Sequence, residues 1–269
     1  MSLISSELIV YGAANIAEVD TGTQGGAIDA TVRYIFDDAD GANDPTWDGG
    51  DGTLKVVSNN GADSMNVTVT GRDSGGSIVT EVLTLNGTTV VVGSQAFERI
   101  LKVVLASAAA GSVILSDSQN GAAIGTTILT VEAGVTSVRR PFYNVSSDVA
   151  GGSARTFYEK VFIKNTNATF ALLAAAFAET DPTTNVEFAL EDAVNDTGTS
   201  SNRVTAPAAG EIGASGFSSA AKTLATETDA GTTDLAATAA IGVWLKLSLA
   251  AGAAATKSTY TITTSGSTA

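Results

Sequence analysis

The chain of 269 residues contains no histidine and no cysteine. Without imidazole or thiol there is no Ser-His or Cys-His nucleophile pair, no zinc site built on those ligands and no disulfide. Most hydrolase chemistry is thereby excluded. Carboxylate, lysine and tyrosine mechanisms are left, and each needs a positioned group with a shifted pKa. The lack of cysteine fits either redox compartment. Basic residues are also few, 14 against 28 acidic ones, and the net charge of −14 repels phosphate backbones and anionic membranes. Neither nucleic acid nor a membrane is expected as a partner. The opening "MSLISSELIVYG" has no basic stretch and carries Glu7, which predicts no secretory signal.

Long apolar runs are nearly absent too. The exception, "LAATAAIGVWLKLSLAAGAAA" at 235–255, is long enough to span a bilayer. Lys246 sits near its middle, however, and Val243, Leu245, Leu247 and Leu249 alternate with Trp244, Lys246 and Ser248. A period of two predicts a strand flanked by Ala-Gly loops.

Apolar residues make up 44% of the chain and charged residues 16%, a globular balance. The length suits roughly two domains of about 150 residues. With 28 Gly and 4 Pro among abundant Ala, Thr and Ser, short strands and tight turns are favoured over long helices. Residues 54–131 read as strand after strand at roughly ten-residue spacing, the pattern of a sandwich or barrel. Within it, Met65, Val67 and Val69 share one face against Asn66, Thr68 and Thr70; "RDSGG" turns the chain into "SIVTEVLTL", and Asn86-Gly87 turns it again. Residues 132–154, with Arg139-Arg140-Pro141 and a Gly pair, read as a boundary. A second strand series follows, through "FYEKVFIKN", "ATFALLAAAFA", "NVEFALE", "GVWLKLSL" and "STYTITT". Residues 195–234 are small and polar, which predicts an extended loop that needs a partner surface to be ordered. The fold expected is all-β, with two β-sandwich domains of Ig-like or barrel-like type. Ala-rich strands bury little side-chain volume, so assembly with neighbouring copies is expected to add stability.

Few residues suggest chemistry. Asp37, Asp38, Asp40, Asp44, Asp48 and Asp51 crowd one segment, and calcium would relieve their repulsion. Counted from Asp38, the EF-hand positions fall on Ala42 and Asn43, so a solvated acidic loop is the better reading. Asp73 and Glu81 flank a Gly pair and would serve as paired carboxylates only if they met; an edge-strand charge is the plainer account. Arg139 and Arg140 would grip an acidic neighbour, against the simpler reading of an exposed turn. Trp47, Trp244, Phe157 and Tyr158 would make a sugar platform, but core packing fits them better. "GRDS" at 71–74 is not Arg-Gly-Asp, Asn86-Gly87-Thr88 matters only on a secretory route, and no P-loop lysine spacing occurs. No catalytic, cofactor-binding or metal residue is assigned, and no cofactor.

The opening "LISSELIVYG" and the later "AGGSARTFYEKVFIKNTN" resemble virion structural proteins of tailed bacteriophages, in which a "SSEL-x-x-Y" start and a "Y-x-K-x-F-x-K-N" strand belong to one domain. "VTVTGRDSGGSIVTEVLTLNG…SQAFERI" is similar to a β-module of phage structural proteins, and "GVWLKLSLAAGA" also looks familiar from that setting. The resemblance implies that residues 1–40 join 141–269 in an outer sandwich with an N-terminal arm, and that 45–138 form an inserted sandwich. The basic residues that often follow the opening are absent here, where Tyr11 leads into "GAANIAEVD". What it implies for function is a non-enzymatic capsid decoration (cement) protein that bridges major capsid subunits on the virion's outer surface. Its expected partners are the major capsid protein or other virion proteins, and itself as a homo-oligomer, a trimer foremost. The alternatives are a tail tube or baseplate subunit and, more remotely, a carbohydrate-binding adhesion module; an enzyme is the weakest reading.

Overall fold

The computed structural model describes residues 3–34, 52–117, 127–142, 145, 153–179, 185–252 and 260–268. Their regular structure is almost all β, in line with the composition. In chain order the strands are β1 Leu8–Asn15, β2 Gln24–Tyr34, β3 Leu54–Ser58, β4 Asn66–Arg72, β5 Ile78–Thr84, β6 Val91–Val92, β7 Arg99–Leu105, β8 Val113–Asp117 and β9 Thr127–Val131. They continue with β10 Ser137–Arg139, β11 Arg155–Asn165, β12 Leu172–Glu179, β13 Val186–Val194, β14 Thr199–Ser200, β15 Lys222–Thr223, β16 Ala240–Leu249 and β17 Ile262–Thr268. A single helical turn, α1 Leu224–Glu227, follows β15. The run expected to be a strand around Lys246 is one, and among the described residues no helix is long and apolar enough to cross a membrane.

The chain divides into two compact units, Met1–Ala30 with Asn144–Ala269, and Thr31–Tyr143. In the second unit one sheet runs β10-β7-β4-β5, joined by the C-terminal end of β2, and the other runs β6-β3-β8-β9. Both sheets feed one core: Leu54, Val56, Val113, Leu115 and Val131 from one, Val67, Val69, Ile100, Val103 and Val138 from the other. That is a sandwich, and the alternation of "NVTVT" produces it, since Val67 and Val69 are buried while Thr68 and Thr70 face outward. The β4–β5 hairpin pairs Asn66 with Thr84 through Arg72 with Ile78. Its turn closes through Gly76 at φ 78, and the next closes through Gly87 at φ 54, conformations that glycine adopts without a Cβ penalty.

In the first unit the larger sheet runs β13-β16-β11-β1 and on to the N-terminal part of β2, with β14 pairing beside Gln24 and Gly25. A smaller sheet runs β15-β12-β17. The antiparallel pairing of β1 with β11, Leu8 opposite Asn165 through Gly12 opposite Val161, joins the two segments that carry the phage resemblance. Glu7 extends the junction. Its carbonyl accepts from Thr166 N at 2.7 Å, and its carboxylate accepts from Asn167 Nδ2 at 2.8 Å and Ile4 N at 2.9 Å, the two bonds that hold the carboxyl below the usual range. Leu3 is buried. Glu7 is thus tied to the turn that follows β11.

The stretch 132–154 does hold the division between the units, at Tyr143 and Asn144, and also carries β10, which pairs in parallel with β2 and antiparallel with β7. One expectation changes. Residues 195–234 are not an extended loop. They hold β14, β15 and α1, a bridge from Ser218 to Phe188, and the buried residues Arg203, Lys222, Leu224 and Glu227. Small polar composition concealed this, because a few long side chains anchor the segment and no periodic apolar pattern marks them.

Candidate functional site

Buried charge concentrates in the first unit at Lys160 and Glu191, both with fully inaccessible side chains. Lys160 lies on β11 opposite Trp244 of β16, and Phe162 opposite Gly242. Residues of one strand two apart share a face, so Lys160, Phe162, Trp244 and Gly242 line the same side of the sheet. Glu191, on β13 beyond β16, reaches Lys160 by crossing Gly242. A Cβ on that glycine would come within 2.0 Å of Glu191 Oε2. The Lys160 ammonium touches the Glu191 carboxyl, donates to the carbonyls of Gly26 at 3.0 Å and Gly198 at 3.1 Å, and approaches that of Asp196 at 3.4 Å. The rings of Phe162 and Trp244 stand 4.7 and 5.7 Å from Nζ.

Acid groups continue outward from this pair. The Asp196 carboxylate accepts from Gly198 N at 3.1 Å. Burial pushes the Glu191 carboxyl up to about 8, against the pull of Lys160. Burial and then Asp196 also raise Glu211, and the same two causes raise Asp192. Among the described residues no group of His, Cys, Asp or Glu is arranged to hold a metal ion.

A second polar cluster ties down 213–228. Lys222 Nζ donates to Ser215 Oγ at 2.7 Å, Ser218 Oγ at 2.9 Å and the Gly216 carbonyl at 3.0 Å, while Ser215 Oγ donates to the Glu227 carboxylate at 2.8 Å. A serine beside a buried lysine invites a nucleophile-and-base reading. Burial does lower the Lys222 pKa, with Glu227 opposing. Yet three acceptors surround the amine and use all three ammonium protons, and a carboxylate faces the serine where an oxyanion would develop. This geometry clamps a loop and is poorly suited to acyl transfer.

The residues singled out from the sequence are not brought together. Asp73 accepts from Ser77 N at 2.8 Å within its own turn, and Glu81 accepts from Ser94 N at 2.6 Å and Gln95 N at 3.1 Å. Each carboxylate closes a different loop. Arg139 is buried on β10, not exposed in a turn, and Arg140 Nε donates to the Ile100 carbonyl at 2.8 Å. Trp244 and Phe157 are core residues, and Tyr158 meets Phe217 with centroids 5.4 Å apart, so they form no platform. The aspartates 37–51 and Trp47 lie outside the described residues.

Sequence reading passed over Lys160 and Glu191 because a charged residue in an alternating strand reads as its solvent face. Phe162, on the same face as Lys160, is the signal that β11 is buried on both sides. Compared with protein-family models, with curated proteins and with solved structures, the chain matches none.

Proposed function

We propose that this is a non-enzymatic structural protein of a tailed-phage virion, most specifically a decoration protein that lies on the capsid exterior and bridges capsid subunits. One observation carries the reading: the outward face of the β4–β5 hairpin is mostly threonine and exposed aliphatic side chains, with a single charge, Arg72 opposite Ile78, at its turn end. Thr68, Thr70, Ile78, Thr80, Val82 and Thr84 present it, and Ile78 and Val82 are 44% and 55% exposed. Among the described residues β5 is the last strand of its sheet. Edge strands are commonly protected by lysine or an inward charge; β5 has no lysine, and its one carboxylate is engaged by Ser94 and Gln95. An edge strand whose outward side chains, Ile78, Thr80, Val82 and Thr84, carry no charge, on a chain of net charge −14, suits docking on protein. The paired β1 and β11 segments and the clamped polar clusters are in keeping with a scaffold role.

The test is rebinding. Purified protein added to capsids stripped of it should bind and raise their thermal midpoint, and Val82→Lys should weaken binding without unfolding the protein. Binding to tails alone, or a six-fold ring in solution in place of a trimer, would move the assignment to the tail. Turnover of any substrate, or indifference to every particle, would end it.

A further inference from the structure

We propose that Asn60 is a site of self-modification: Gly61 N attacks its side-chain amide, and the folded protein converts this position to isoaspartate and aspartate while Asn86, in the same dipeptide, is spared. Both Asn-Gly pairs stand at one end of the sandwich in the second unit, and they touch. A Cβ on Gly87 would lie 2.5 Å from the Gly61 carbonyl oxygen. What separates the two is the amide that follows each asparagine. The reaction needs that nitrogen free, because an N–H held by a carbonyl neither gives up its proton readily nor turns toward the side chain. Gly87 is buried, its N–H donates to the Asp63 carbonyl at 2.8 Å, and its carbonyl accepts from Ser58 N at 3.1 Å. Gly61 is exposed, and its N–H meets no acceptor among the described residues. Beyond its chain neighbours, no heavy atom lies within 4 Å of where a Cβ on it would stand.

Asn60 is positioned for the attack. Its Oδ1 accepts from Ala62 N at 2.9 Å, and its main-chain carbonyl accepts from Asp63 N at 3.3 Å. The first bond folds the side chain forward over the Gly61 peptide and draws electrons from Cγ, so nucleophile and electrophile are held together. Solvent hydroxide takes the Gly61 proton, the N–Cγ bond forms, and the Cγ–Nδ2 bond breaks as ammonia, protonated by water, leaves. A water molecule then opens the five-membered imide. Breaking its bond to Cγ gives aspartate, and breaking its bond to the main-chain carbon gives isoaspartate. No oxidant is required. The same turn carries Asp63, whose carboxylate is held by Ser58, Ala110 and Gly111 and whose carbonyl holds Gly87. Isoaspartate adds one carbon to the main chain just ahead of the residue on which these loops converge. This inference is independent of the virion assignment and would hold in any host role.

Peptide mapping of the full chain, fresh and aged in mildly alkaline buffer, decides it. The peptide containing Asn60 should gain about one dalton, the difference between amide and acid, and accept methyl groups from an isoaspartyl methyltransferase. The peptide containing Asn86 should stay unchanged in the folded chain and react once denaturant is added. Gly61→Ala, which has room for its Cβ, should slow the gain at Asn60 several-fold. The aged wild type should melt below the fresh protein. No gain at position 60, an equal gain at 86 in the folded chain, or an aged chain that melts with the fresh one overturns the proposal. Asn120-Gly121, outside the described residues, falls in a separate peptide and does not confuse the reading.

Discussion

Ser58, Ala110 and Gly111 all donate to the buried carboxylate of Asp63, at 2.6, 2.9 and 3.0 Å. These bonds, Ser58 first, hold its pKa below the ordinary value of 3.8. A lowered carboxyl stabilises the fold above its unfolded pKa and loses that contribution as pH falls through the folded one. Asp63→Ala should therefore cost about 1.5–3 kcal/mol at neutral pH, and the difference from wild type should shrink in acid; denaturant unfolding at both pH values measures it. Glu211 has the opposite sign. Its raised pKa means the folded state holds the proton more tightly than the unfolded one, so stability falls as pH rises above the ordinary 4.5. Glu211→Gln should flatten that decline, and parallel curves of midpoint against pH for the two proteins would refute it. At Gly71 a Cβ would stand 2.4 Å from the Arg99 carbonyl and 2.5 Å from the Phe97 ring. Neither has room to retreat, and Gly71→Ala should destabilise by about 1–3 kcal/mol in thermal melts.

The β4–β5 hairpin and the strand around Lys246 were legible because period two is a direct imprint of the pleat, and Gly-Gly and Asn-Gly mark turns by backbone chemistry. Where a strand is short and enclosed the imprint fails. β10 has three residues, two of them buried, including Arg139, and it read as a boundary. The 195–234 segment read as loose for a related reason: Lys222 and Glu227 hold it through bonds to Ser215 and Ser218, and hydrogen bonds leave no periodic trace. Charged partners two strands apart, as Lys160 and Glu191 are, were equally invisible, since only the sheet order reveals them. For β5 the expectation is specific. Val82→Lys should change stability by no more than about 0.5 kcal/mol, while any association mediated by this edge is lost; retained association at wild-type strength would rule the edge out.

A net charge of −14 sets copies of the molecule against one another. Screening shortens that repulsion, from a Debye length of about 30 Å at 0.01 M salt to about 8 Å at 0.15 M. Sedimentation velocity should accordingly show self-association growing as salt is raised over this range, the reverse of what a pairing of opposite charges would give. The pairing of β1 with β11 has a consequence during synthesis. The first strand ends at Asn15 and its partner begins at Arg155, so translation at roughly 5–20 residues per second separates them by on the order of ten seconds. Throughout that interval Leu8, Ile9 and Val10 have no β11 to join, while the intervening stretch is already free to collapse. β1 thus waits with one of its two edges unpaired, and a chaperone that shields that edge would raise the yield of correctly folded chains.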